Sequence, residues 1–153
     1  MDRMYKITTD NTADLPYSFY KENDIDFLFL PYTLEGKQYT LENELLVAEF
    51  YDRMRNGSMP TTSQYNAEDA AGLWEPYLKQ GVDILHIAFS SGLSGSYNSA
   101  RLAAEDMREK YPERKITVVD SLSASLGEGL LVWYAEKLKK EGKTMEELTS
   151  WLE

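Results

Sequence analysis

Two short stretches hold the hydroxyl groups best placed to meet a ligand. "SSGLSGSYNSA" (90–100) carries five serines and two glycines in eleven positions, between a strand-like run, "VDILHIAF" (82–89), and a helical one. "PTTSQ" (60–64) sets three hydroxyl residues in a row before a helix that Asn66 is expected to cap. A loop rising from a strand end into a helix leaves first-turn N–H groups unpaired and facing outward. Gly92 and Gly95 let such a backbone bend closely around an anion, and Ser94 and Ser96 add hydroxyl donors. The chemistry on offer is reception of a carboxylate or phosphate. A plainer reading stands beside it, in which Ser94 or Ser96 caps the helix and the glycines turn the chain. Two such clusters ahead of helices on one sheet edge favour convergence on a single anion.

Other chemistries have weaker support. Asp10 and Asp120 both close strands, an arrangement that can hold magnesium for an enzyme acting on a small phosphorylated metabolite. "DNTAD" lacks the tight D-x-D spacing of that class, and strand-end aspartates also serve to accept backbone N–H bonds. "GLSGS" fails the G-x-S-x-G pattern of a hydrolase nucleophile. The single histidine, His86, falls mid-strand and reads as a core residue rather than a general base. "GEG" (127–129) is no dinucleotide fingerprint, since Val132 occupies the third glycine's place. With no cysteine in the chain, thiolate metal sites, disulfides and cysteine nucleophiles are excluded.

The elements that must position these groups alternate in type. "YKITT" (5–9), "DFLFLPYTLEG" (26–36), "VDILHIAF" and "KITVV" (115–119) read as strands, with Pro31 marking an end or an edge. Between them, Ala70, Leu73, Trp74, Tyr77 and Leu78 follow helical spacing. So do Ala100, Ala103, Ala104, Met107 and Tyr111, and again Leu131, Tyr134, Ala135 and Leu138. Leu46, Phe50 and Met54 give an amphipathic helix within 42–56. Thr144 and Glu147 have capping-box spacing and open a last helix, "MEELTSWLE", whose Trp151 and Leu152 fall beside the final residue. Two readings of that pair are open: a domain cut from a longer chain, or docking on this domain's own sheet. The alternation predicts an α/β fold with a mostly parallel sheet and helices on both faces. Ligands of such sheets sit beyond the carboxyl ends of the strands, which singles out 8–16, 60–64, 90–96 and 120–129.

Length and charge narrow the class. At 153 residues with 42% hydrophobic and 27% charged residues, the chain has the balance of one globular domain. Its net charge of −10 argues against nucleic acid or an anionic membrane surface as a partner. An anionic small ligand meets the same repulsive field and needs strong local donors. "MDRMYKITTD" is not a signal peptide, and the longest apolar run, "LLVWYA" (130–135), is too short to cross a bilayer. A soluble cytoplasmic protein is expected.

Taken together and in order, the four stretches resemble the amino-terminal domain of the DegV family. "TTDNTADLP" is similar to that family's T-D-S-T-A-D-L block, "PTTSQ" to T-S-Q-P, and "SSGLSGSYNSA" to S-S-x-L-S-G-T-Y-Q-S-A. "VDSLSASLGEGLLV" is similar to D-S-x-x-x-S-x-G-x-G. The resemblance spans nearly the whole chain. It implies that residues 1–153 are the amino-terminal domain of a two-domain bacterial lipid-binding protein, a three-layer sandwich, with the carboxy-terminal domain absent from these residues. It implies a long-chain fatty acid held between the domains, no cofactor and no catalysis. Members of this type present the acyl chain to a separate fatty acid kinase, which phosphorylates the carboxylate. The family's carboxylate-binding hydroxyls fall on Thr62 and Ser94, with Thr61, Ser63 and the backbone at Gly95 as neighbours.

Two departures bear on that implication. Tyr65 replaces the family's proline, so it either loosens the loop or offers its ring to the ligand. The second domain would also bring a histidine and an arginine near the head group. Weak acyl binding by this chain alone is therefore expected, with self-association through the face the second domain would cover.

Overall fold

The computed structural model describes residues 4–153, so Met1, Asp2 and Arg3 of the N-terminal stretch read above lie outside the described residues. The chain opens with β1 (Tyr5–Asp10), a 3-10 turn at Asn11–Ala13, α1 (Tyr17–Glu22) and β2 (Asp26–Leu28). A side excursion follows: β3 (Tyr32–Leu34), β4 (Lys37–Tyr39), α2 (Val47–Arg55) and β5 (Thr61–Thr62). Then come α3 (Ala67–Lys79), β6 (Asp83–Ala88), α4 (Ser96–Lys110), β7 (Ile116–Asp120), α5 (Leu126–Lys140) and α6 (Met145–Leu152).

The main sheet has the order β2-β1-β6-β7 and is parallel throughout. Every residue of β1 and β6 is buried, as a central strand covered on both faces requires. Alternation along each strand then feeds two cores. Tyr5, Ile7, Leu85 and Ile87 pack against Val132, Ala135, Met145 and Leu148 of α5 and α6, with Tyr20 of α1. Ile84 and Ile116 face Trp74 and Leu78 of α3 and Ala100, Ala103 and Ala104 of α4. The result is the three-layer α/β sandwich that the alternation predicted. Trp74 has no exposed surface and anchors the second core; truncating such an aromatic to alanine costs about 3–5 kcal/mol.

Both expected caps form. Asn66 accepts the Asp69 N–H at 2.8 Å and Thr144 accepts the Glu147 N–H at 3.2 Å, each within a reciprocal capping box. Met145 and Leu148 are buried and Leu152 packs against the first core, so α6 docks on this domain's own sheet. Trp151 stays half exposed beside Tyr134.

Two expectations change. The single strand read over 26–36 is two: β2 ends at Leu28, and after Pro31 the chain joins a separate antiparallel sheet of order β4-β3-β5. "PTTSQ" is therefore no loop at the main sheet's edge, because Thr61 and Thr62 pair with Thr33 and Tyr32 of that small sheet. Helix α2 forms, but none of its residues is buried. Its apolar side faces a cleft instead of a core. No helix among the described residues is long and apolar enough to cross a membrane.

Candidate functional site

A cleft of about 800 Å³ lies between the small sheet with α2 and the carboxyl end of the main sheet. Val47, Phe50 and Tyr51 of α2, with Leu30, Phe89 and Leu93, give it an apolar wall. Thr62, Ser63 and Gln64 from one side and Ser94 and Ser125 from the other give it hydroxyl and amide groups. The 3-10 turn contributes Asn11 and Thr12 to the lining. Asp14 and Glu44 are its only ionisable carboxyls, and no Lys, Arg or His lines it among the described residues. Any anion held here must rely on hydroxyls and on the N-terminal ends of α4 and α5.

The sequence-derived donors are placed unequally. The Thr62 hydroxyl lines the cleft and makes no hydrogen bond to the described residues, which leaves it available to a ligand. Ser63 also lines it, its Oγ 3.4 Å from the Pro31 carbonyl oxygen. Thr61 is exposed but, one residue along β5, falls outside the lining. Ser94 does two things: it lines the cleft, and its Oγ accepts the Ser96 N–H at 3.1 Å while sharing a 2.9 Å hydrogen bond with Ser96 Oγ. The N-cap of α4 is Gly95, with no side-chain cap, so Ser94 steadies the helix start from one residue earlier while it faces the cleft. The other serines of that loop serve the fold. Ser90 Oγ accepts the Gly92 N–H, Ser96 is fully buried, and Ser99 Oγ accepts from Gln64 at 3.4 Å.

Gly95 does not line the cleft; it brings the two loops together. A Cβ at Gly95 would collide with the Gln64 side chain, which lies across the start of α4. Removing that obstacle lets the 60–64 segment approach the 90–96 loop, so Thr62 and Ser94 border one space. Tyr65 is 2% exposed and absent from the lining, so it offers nothing to a ligand. It precedes the Asn66 cap and packs in the core with Ala70, the hydrophobic staple of α3. Burial, followed by the nearby Asp10 carboxyl, pushes its phenol pKa far up.

The two strand-end aspartates do not converge. Strand β6 separates β1 from β7, so their backbones stand about 10 Å apart. Asp10 is fully buried and its Oδ2 accepts the Phe89 N–H at 2.8 Å. Asp120 Oδ1 accepts N–H bonds from Ser91 and Leu122, both at 3.1 Å. Burial raises the Asp120 carboxyl, and those donors more than offset it, leaving it below its ordinary value. Both aspartates hold the loops that frame the cleft.

His86 is a core residue, as its place mid-strand implied. Trp74 Nε1 donates to Thr8 Oγ1 at 3.3 Å, and Thr8 Oγ1 lies 2.9 Å from His86 Nδ1. The Thr8 hydroxyl therefore bridges the indole and the imidazole inside the core. Nε2 in turn faces Tyr65 Oη at 3.4 Å and Asp10 Oδ1 at 3.2 Å. Asp10 Oδ1 nonetheless has no hydrogen-bond partner among the described residues, so hydroxyl, imidazole and carboxylate form no relay, and Thr8 has no exposed surface with which to meet a substrate. A further buried group, unforeseen from the sequence, is Glu128, which lies under the 3-10 turn with no exposed surface.

A second cavity, about 750 Å³, opens at the opposite end of the sheet and is lined by Lys6, Lys115, Lys139 and Lys143. Lys6, Lys115 and Lys143 have carboxylate partners, Asp24, Glu146 and Glu147 respectively. The strands point away from this end, and the hydroxyl clusters do not reach it.

Comparison with known proteins bears on the family and the fold. A DegV domain-containing protein of Clostridium perfringens is 45% identical over 153 residues, covering 99% of this chain and 53% of that protein. Among solved structures, a DegV family protein from Thermus thermophilus described by its fatty acid binding superposes with a TM-score of 0.85 at 33% identity. It matches 98% of this chain and 52% of its own. A stearic acid-binding protein from Eubacterium ventriosum superposes with a TM-score of 0.90 at 28% identity, matching 97% and 52%. The chain therefore spans about half the length of the curated relatives it matches. The profile described as "Uncharacterised protein, DegV family" matches residues 4–153. With family profile, relatives and fold in agreement, this chain belongs to the DegV family.

Proposed function

We propose that residues 1–153 form the amino-terminal domain of a fatty-acid carrier, and that the cleft receives the carboxylate end of a long-chain fatty acid. Thr62, Ser63 and Ser94 donate to the head group, Gly95 and Thr61 set the two loops, and α2 covers part of the tail. The observation that carries this reading is the shared cleft: a hydroxyl without a partner and an unburied apolar helix face border the same space. Solved relatives described as binding fatty acids support the ligand class.

The energetics divide the labour. A hydrogen bond to a carboxylate is worth about 1.5–3 kcal/mol, whereas burying sixteen carbons contributes roughly 12 kcal/mol before binding costs. The tail supplies affinity and the hydroxyls choose the head group. The cleft has one apolar wall and no cation. In this reading a second domain, of the length the relatives add, closes the other side and brings the missing positive charge. The protein then does no chemistry itself and presents the acyl carboxylate to a separate fatty acid kinase. A Thr62→Val variant tests the head-group assignment by displacement of a fluorescent fatty acid with oleate. Weakened oleate binding is expected, and an unchanged affinity sinks the assignment.

A further inference from the structure

The Thr9 hydroxyl has one hydrogen and two oxygens within reach, the Ile87 carbonyl at 2.8 Å and Glu128 Oε1 at 3.0 Å. The carbonyl carries no hydrogen and is the nearer, so it takes the Thr9 proton. A second hydrogen bond between Thr9 Oγ1 and Glu128 Oε1 then needs a hydrogen on the carboxyl. The other oxygen, Oε2, accepts the Thr12 hydroxyl at 2.8 Å. A carboxylic acid that donates through one oxygen and accepts through the other satisfies both hydroxyls and leaves the Ile87 carbonyl its bond. A carboxylate can keep the Thr9 bond only if that hydroxyl turns its one hydrogen away from the Ile87 carbonyl.

The surroundings agree. Glu128 has no exposed surface, and Asp10, its nearest acid, closes β1 beside it. Tyr20 reaches toward it from α1 and Tyr65 from the segment before α3, with His86 beyond Asp10 on β6. No cation among these groups contacts Glu128 to compensate a negative charge. Burial first, then the Asp10 carboxyl, raises its pKa to about 8. Next to it, Gly129 lets α5 approach until an added Cβ would meet the Ala13 carbonyl oxygen at 2.5 Å.

We propose that Glu128 is held as a neutral acid and that its proton latches the 3-10 turn to β1, fixing the floor of the cleft. Thr12 lines that cleft, and so does Ser125, three residues before Glu128. Glu128 is thus a positioning residue, joining strand end, turn and helix start. When it ionises, the Thr9 hydroxyl must leave the Ile87 carbonyl to donate to it, and the new charge repels Asp10, so the turn is loosened. The latch holds whatever the cleft binds.

The test is the thermal midpoint of the ligand-free chain and of Glu128→Gln from about pH 5 to pH 9. Glutamine reproduces the neutral acid, its NH₂ donating to Thr9 and its oxygen accepting from Thr12. A folded-state pKa above the ordinary value means stability present at low pH and lost as pH rises toward about 8. The wild type should therefore lose midpoint relative to Glu128→Gln across that interval and run parallel to it above. Parallel profiles throughout overturn the latch. Should the variant fail to fold, carbon-13 NMR of glutamate carboxyls in the wild type decides. One carboxyl titrating near 8 supports the latch, and all titrating in the ordinary range overturn it.

Discussion

Thr62 and Ser94 border one cleft with different obligations, and mutation separates them. Thr62 Oγ1 has no partner among the described residues, so Thr62→Val should shift unfolding stability by less than about 0.5 kcal/mol in urea titration. The same change should weaken oleate binding by about 10- to 100-fold, the loss of one hydrogen bond to a carboxylate. Ser94→Ala should cost both, because its Oγ also holds the start of α4: about 1 kcal/mol of stability together with affinity. Equal stability losses in the two variants would contradict these placements. The hydroxyl clusters were legible from composition, as was His86 from its place mid-strand. Glu128 was missed, though its spacing carried a signal: positions 128, 132 and 135 share one helix face, and the latter two are the buried Val132 and Ala135. A charge on that face signals a buried polar contact. The role of Tyr65 could be read the same way, as the residue before a cap and five before Ala70.

At the level of elements, two glycines set how closely the loops approach, with opposite tolerance. Gly129 faces the Ala13 carbonyl and the Leu15 side chain, and a backbone oxygen cannot step aside. Gly129→Ala should destabilise by about 1–3 kcal/mol through overpacking, measured as a lower urea midpoint. At Gly95 an added methyl meets the far end of Gln64, which can rotate away, so Gly95→Ala should cost less stability than Gly129→Ala. It should still displace the 60–64 segment and weaken oleate binding, and Gln64→Ala in the same chain should restore part of the affinity. The reverse ranking of the two stabilities would contradict these packing arguments. The main sheet and its helices were readable because fully buried strands and helical periods leave strong patterns. The small sheet was not, because strands of two and three residues are too short to show alternation. Pro31 marked the break but not what the chain does after it.

Across the whole molecule, charge and surface describe a cleft open to solvent. The net charge of −10 and a cleft without a cation among the described residues disfavour tight anion binding by this chain. Leu93, Leu122, Leu126 and Leu130 are each more than half exposed around the carboxyl end of the sheet. Such a patch favours self-association, so sedimentation velocity should show dimers growing with concentration, reduced by Leu126→Glu with Leu130→Glu. A monomer at all concentrations would show that this face does not pair with itself. The central claim is that the cleft receives a carboxylate between the 62–64 and 93–96 segments. It is best met by titrating oleate into nitrogen-15-labelled protein and following the backbone amides, which reports weak binding as well as tight. Expected are shifts concentrated at Thr62, Ser63, Gln64, Ser94 and Gly95, extending to Val47 and Phe50 where the tail lies on α2. Shifts confined to the lysine-lined cavity, or none at saturating oleate, would contradict the claim.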